Sequence, residues 1–108
     1  MATQMDLDAM PATQATPADR IRQLARAECD AFAAWQESDE QHPPTAYYTA
    51  VENLLQNYSP TAVPVARDSM QRLADAYRAY LHDTTRQTPT QEFWSARSMA
   101  MNDLFRLP

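Results

Sequence analysis

At 108 residues, with 44% hydrophobic and 21% charged side chains, the chain has the make-up of an ordinary soluble globular domain with one modest core. Its net charge of −5 speaks against a nucleic-acid surface, no apolar run is long enough to cross a bilayer, and a single cysteine, Cys29, cannot close an internal disulfide. Glycine is absent where ~7% usage would supply roughly seven or eight, which excludes the Walker A loop, the Rossmann fingerprint, the nucleophile elbow and the EF-hand loop as they are normally built.

Residues 1–15, rich in Ala, Thr, Gln and Met, show no sustained period and are expected to form a disordered tail. The tail has no basic region and carries Asp6 and Asp8, so it does not read as a secretory signal. With one cysteine, a reducing cytoplasm is the expected compartment. A first helix is predicted over 17–37, with Thr16 as N-cap, Pro17 in the first turn and Asp19 favouring the dipole. Ile21, Leu24, Ala25, Ala31, Phe32 and Trp35 share its apolar face, and Glu28 stands in the middle of that face. The acidic loop ESDEQHPP, with Glu37, Asp39 and Glu40, ends it.

A second helix is predicted over 44–58, with Tyr47, Val51, Leu54 and Tyr58 inward. Pro60 and Pro64 break the chain, since each lacks an N–H and constrains the residue before it. A third helix is predicted over 64–84, burying Ala66, Met70, Leu73, Ala74, Tyr77, Tyr80 and Leu81, with Asp68, Gln71, Arg72, Asp75 and Arg78 in solvent. Thr88-Pro89 opens a fourth helix, with Gln91 completing a capping-box-like entry.

Four proline-punctuated helices with short connections imply an all-α fold: a four-helix bundle or two packed helical hairpins over 16–108, after the tail. A faint internal echo supports the second form. PPTAYYTA at 43–50 resembles PTQEFWSA at 89–96, an offset of 46 that also sets Leu24, Ala27, Ala31 and Trp35 against Met70, Leu73, Tyr77 and Leu81. Two unrelated amphipathic hairpins would show the same pattern of apolar positions.

Little in the chain points to catalysis. His42 and His82 have no partners at metal-ligand spacing, the five serines sit in no nucleophile motif, and no lysine exists for Schiff-base chemistry. No enzyme activity, metal or cofactor is therefore expected.

The last helix carries the more informative pattern. Phe93, Ala96, Ala100, Leu104 and Leu107 form one apolar stripe, and Trp94, Met101 and Phe105 a second about 100° away, with Arg97 between them. Either the helix is squeezed between two neighbours or the second stripe is a contact surface. Trp94, Arg97, Met101 and Phe105 are read as partner-binding anchors, for a homodimer or for a different protein. Glu28 and Arg97 are expected to snorkel to the rim, the alternative being one inter-helix salt bridge.

Charge is uneven along the chain. Residues 1–58 hold three arginines against nine acids, a net of −6, and residues 59–108 hold six against five, a net of +1. The acidic half, with Glu37, Asp39 and Glu40, suits a basic partner such as a nucleic-acid-binding protein. The function expected is a non-enzymatic interaction module: an adaptor, regulator or inhibitor, for instance one carried by a phage or mobile element. The alternative is a helix-turn-helix DNA-binding regulator reading with helix 3 through Arg67, Ser69, Gln71 and Arg78.

Overall fold

In the computed structural model, which describes residues 16–85 and 88–106, the chain forms four α-helices: α1 (Pro17–Glu37), α2 (Thr45–Asn57), α3 (Arg67–His82) and α4 (Gln91–Phe105). The tail expected over 1–15 and the stripe position Leu107 lie outside the described residues. No strand occurs among those residues, and none of them has a positive φ, so the fold makes no use of the conformation that glycine supplies.

The ends of α1 fall where its caps place them. Thr16 Oγ1 accepts from the Asp19 N–H at 3.0 Å, and the Asp19 carboxylate accepts from the Thr16 N–H at 3.3 Å, a reciprocal capping box. The Thr16 backbone N–H, followed by the Thr16 hydroxyl, holds the Asp19 carboxyl below its usual range. Two helices depart from their expected boundaries. Pro64 opens not an α-turn but a 3-10 turn, Pro64–Ala66, and α3 proper begins at Arg67 and ends at His82, short of the expected 84. At α4 the cap is Thr90, whose hydroxyl accepts from the Phe93 N–H at 3.3 Å, and not Thr88. The Thr88 hydroxyl is instead 2.8 Å from His42 Nδ1, which ties the α1–α2 and α3–α4 loops together.

Of the two forms expected, the packing is that of paired hairpins. α1 lies on α2, α3 lies on α4, and the halves meet chiefly where α1 approaches α4. The core runs through all four helices, with Ile21, Tyr47, Leu54, Leu73, Phe93 and Leu104 among its fully enclosed side chains. Leu81, expected inside, is 55% exposed.

The halves repeat one another. Between α2 and α4 the offset is 46: buried Pro43 and Tyr47 correspond to buried Pro89 and Phe93, and half-buried Tyr48 to half-buried Trp94. Between α1 and α3 it is 45 and not the 46 read from sequence. Ile21, Ala25, Glu28, Phe32 and Trp35 then match Ala66, Met70, Leu73, Tyr77 and Tyr80, and no exposed position falls against a buried one. The difference is one residue of loop, since 83–90 is one longer than 38–44.

Ring contacts follow the same rule. Phe32–Tyr47 centroids lie 6.1 Å apart and their equivalents Tyr77–Phe93 6.0 Å. Between the hairpins, Trp35 stacks on Trp94 at 5.7 Å and the equivalent Tyr80 on Tyr48, also at 5.7 Å. The hydrogen-bonded His42 and Thr88 are themselves equivalents at offset 46.

Candidate functional site

Glu28 occupies the centre of the α1 apolar face, 1% exposed. Two methylenes give it no reach to the rim, so burial demands a partner, and α4 supplies one. Arg97 Nε donates to Glu28 Oε2 at 2.7 Å and Nη2 to Oε1 at 2.8 Å, a bidentate pair with the arginine side chain only 13% exposed. The expectation that both charges snorkel is therefore corrected: they form the inter-helix salt bridge.

Tyr47 of α2 adds a third contact, its hydroxyl donating to Glu28 Oε2 at 2.6 Å. The Arg97 guanidinium also lies 4.1 Å from the Phe32 ring centroid, a cation–π contact. Burial works against the charge on Arg97, but the hydrogen bonds and negative charge of Glu28 outweigh it and raise its pKa. Burial, reinforced by the Glu28 charge, drives the Tyr47 hydroxyl far above its ordinary value. The half-buried Cys29 thiol, 3.6 Å from Arg97 Nη2, is pushed up by burial and then by Glu28, which favours the protonated, unreactive form.

The four residues expected to anchor a partner therefore do not form one outward stripe. Met101, 6% exposed, belongs to the core, and Arg97 is committed to Glu28. Trp94 is half-buried against Trp35, Phe32 and Phe93, so only part of its ring reaches solvent. Phe105 alone of the four is exposed, at 41%. The sequence reading also missed Met99, 48% exposed on the same helix. It falls in neither stripe, a sign in the sequence that it faces away from the core.

Glu37, Asp39 and Glu40 are all exposed at the end of α1. The turn they share is ordered by the Ser38 hydroxyl, which donates to the Trp35 carbonyl at 2.7 Å, and by Trp35 Nε1, which donates to the Glu40 carbonyl at 3.1 Å. On the outer face of α3, Arg67 pairs with Asp68 at 3.7 Å and Arg78 with Asp75 at 3.3 Å. Both arginines of the helix-turn-helix reading thus lie beside acids, and Ser69 is buried, its hydroxyl donating to Asp103 at 2.8 Å.

Two open clefts of about 200 Å³ flank the connection between the hairpins, one lined by Leu55, Tyr58, Met70 and Arg67, the other by Pro17, Arg20, Ile21 and Val63. Each is smaller than the ~300–1,000 Å³ of a usual small-molecule site. Among the described residues no three His, Cys, Asp or Glu side chains are grouped to hold a metal ion, and no helix is long and apolar enough to cross a membrane.

Fold and geometry together define an all-α protein of two packed helical hairpins, joined through a buried ion pair and an aromatic seam. The chain matches no protein-family model, no curated protein and no solved structure.

Proposed function

We propose that the chain is a non-enzymatic protein-interaction module that docks a partner on the outward face of α4. One observation carries this reading. Past Glu92 in the first turn, the exposed positions of α4 are Ser95, Ser98, Met99, Asn102 and Phe105, none of them ionisable, whereas the outer faces of α1 and α3 are studded with Arg and Asp. The fully buried part of a protein interface is depleted in charge and enriched in methionine and aromatic residues, and Met99 and Phe105 meet that description. The exposed acids Glu37, Asp39 and Glu40 suit attraction of a basic partner, for which a nucleic-acid-binding protein is the natural class.

The test uses the tagged full chain as bait in an extract of its native host, beside Met99→Ser/Phe105→Ser and Glu37→Gln/Asp39→Asn/Glu40→Gln variants. A captured protein should be lost with the α4 variant. It should be recovered in lower yield, and with less sensitivity to salt, with the neutralised loop. Capture indifferent to the α4 substitutions would overturn the reading. Enrichment of nucleic acid alone would replace it with the helix-turn-helix alternative on α3.

A further inference from the structure

The buried triad Glu28, Tyr47 and Arg97 has an equivalent in the other half of the molecule, and that equivalent is wholly apolar. At the offsets that align the helices, Glu28 corresponds to Leu73, Tyr47 to Phe93 and Arg97 to Val51, and all three counterparts are buried. Equivalent buried positions are therefore filled once by an ion pair and once by hydrocarbon. Apolar packing suffices there, so the charges must do something that packing alone does not.

What they change is which hairpin can pair with which. In the native arrangement the first hairpin carries the buried Glu28 and Val51 and the second carries the buried Leu73 together with Arg97, and Glu28 meets Arg97 across the seam. Joining first to second sets Glu28 against Arg97, keeps Leu73 and Val51 for the apolar counterpart, and leaves no buried charge alone. Joining two first hairpins would set Glu28 against valine twice. Joining two second hairpins would set Arg97 against leucine twice. Each wrong pairing buries two ions without a counter-ion, the case that buried charge penalises most heavily. An apolar seam throughout would carry no such discrimination, because the repeated ring contacts at 5.7 Å would form in every combination.

We propose that the Glu28–Arg97 pair is a pairing code. It makes each hairpin accept only the opposite hairpin, whether from its own chain or from a second copy of the chain. The second copy is thus the one macromolecule whose surface the seam already fits, and it is engaged by reciprocal exchange of hairpins about the connection Ser59–Val63. That connection is held closed by the Val63 N–H on the Ser59 carbonyl at 2.9 Å and by the Tyr58 hydroxyl on the Val63 carbonyl. This inference does not depend on the α4 docking face.

Two full-length variants test the code. The first, Glu28→Leu/Tyr47→Phe, writes the apolar solution into the first hairpin and leaves its own Arg97 without a partner. The second, Arg97→Met, leaves Glu28 without one. Exchange between them would set the new leucine of one chain against the new methionine of the other in one seam, and restore Glu28 against Arg97 in the second. Each variant refolded by itself should melt well below the natural chain. Refolded together at equal concentration, they should yield a dimer containing one copy of each, seen by native mass spectrometry, with its melting temperature returned towards that of the natural chain. The control Glu28→Leu/Tyr47→Phe/Arg97→Met in one chain should fold as a monomer. A mixture that contains only the two separate species with their separate melting temperatures overturns the proposal. So does a control that fails to fold, since the apolar and ionic solutions would then not be interchangeable.

Discussion

In the first hairpin the position beneath the aromatic seam holds a carboxylate, Glu28, gripped at 2.7 and 2.8 Å by Arg97 and capped by the Tyr47 hydroxyl. In the second hairpin the same position holds Leu73, with Phe93 in the place of Tyr47 and nothing polar to satisfy. The halves share helix order, burial and ring spacing, so the two sites can be set side by side. Hydrophobic burial is tolerant of what fills it, whereas a buried ion pair is selective because it penalises every wrong neighbour. The seams differ as well. α1 and α4 approach closely, while α2 and α3 are bridged by long side chains: Tyr48 to Tyr80 at 2.9 Å, and Tyr77 to Glu52 at 2.7 Å.

The largest effect that would sharpen this contrast comes from breaking the pair on one side. Arg97→Met should cost about 3–5 kcal/mol of folding stability in urea titration, because it strands a buried carboxylate. A loss below about 1 kcal/mol would mean that water reaches Glu28 and that the two halves are not chemically distinct there.

Next in size, Trp94→Ala should cost about 2–3 kcal/mol, since part of a large ring leaves the seam. Phe105→Ala should stay within about 0.5 kcal/mol of the natural chain. If thermal melts reversed that order, the seam and the outward face of α4 would have to exchange roles.

Alkaline pH acts on both halves alike. Tyr47 in the first hairpin and Tyr77 in the second have folded-state values raised above the ordinary phenol value of 10.0, in both cases by burial first and a glutamate next. A group whose value is raised on folding contributes fully below its unfolded value, so stability should hold to about pH 10 and fall above it. The slope is up to about 1.4 kcal/mol per pH unit for each tyrosine held neutral. Urea midpoints at about pH 9.5 and about pH 11, either side of the phenol value, should show Tyr47→Phe and Tyr77→Phe each removing part of that slope. An unchanged slope in either variant would mark its hydroxyl as solvated.

The smallest effect separates two neighbouring threonines. Thr90→Ala should cost about 1 kcal/mol as the lost cap of α4, and Thr88→Ala only a few tenths, because its partner His42 lies in an exposed loop. Equal losses would make the tie between the loops as important as the cap.

Local chemistry made much of this legible from the chain. Thr16, Pro17 and Asp19 mark the start of α1 without help from the rest of the fold, and the absence of glycine agrees with a backbone that has no positive φ among the described residues. At α4 two threonines compete, Thr88 before a proline and Thr90 before Gln91. Only tertiary placement, with Pro89 buried and Thr88 turned to His42, decides between them. The repeat was visible, but its register on α1 and α3 was not, because a loop one residue longer shifts the offset without touching the apolar pattern. The ion pair joins residues 69 apart in sequence. Periodicity placed each charge on an apolar face and could not say that the two faces meet, and the same limit hid the burial of Met101.

The most direct test of the account is a double-mutant cycle on Glu28 and Arg97 in the Tyr47→Phe background, with Glu28→Leu and Arg97→Met as the single steps. If the pair is a selective substitute for the apolar solution in the other half, each single change should be costly. The double change should then recover most of the loss, a coupling of at least about 2 kcal/mol in urea unfolding. Losses that simply add, leaving the double variant the least stable of the set, would contradict it.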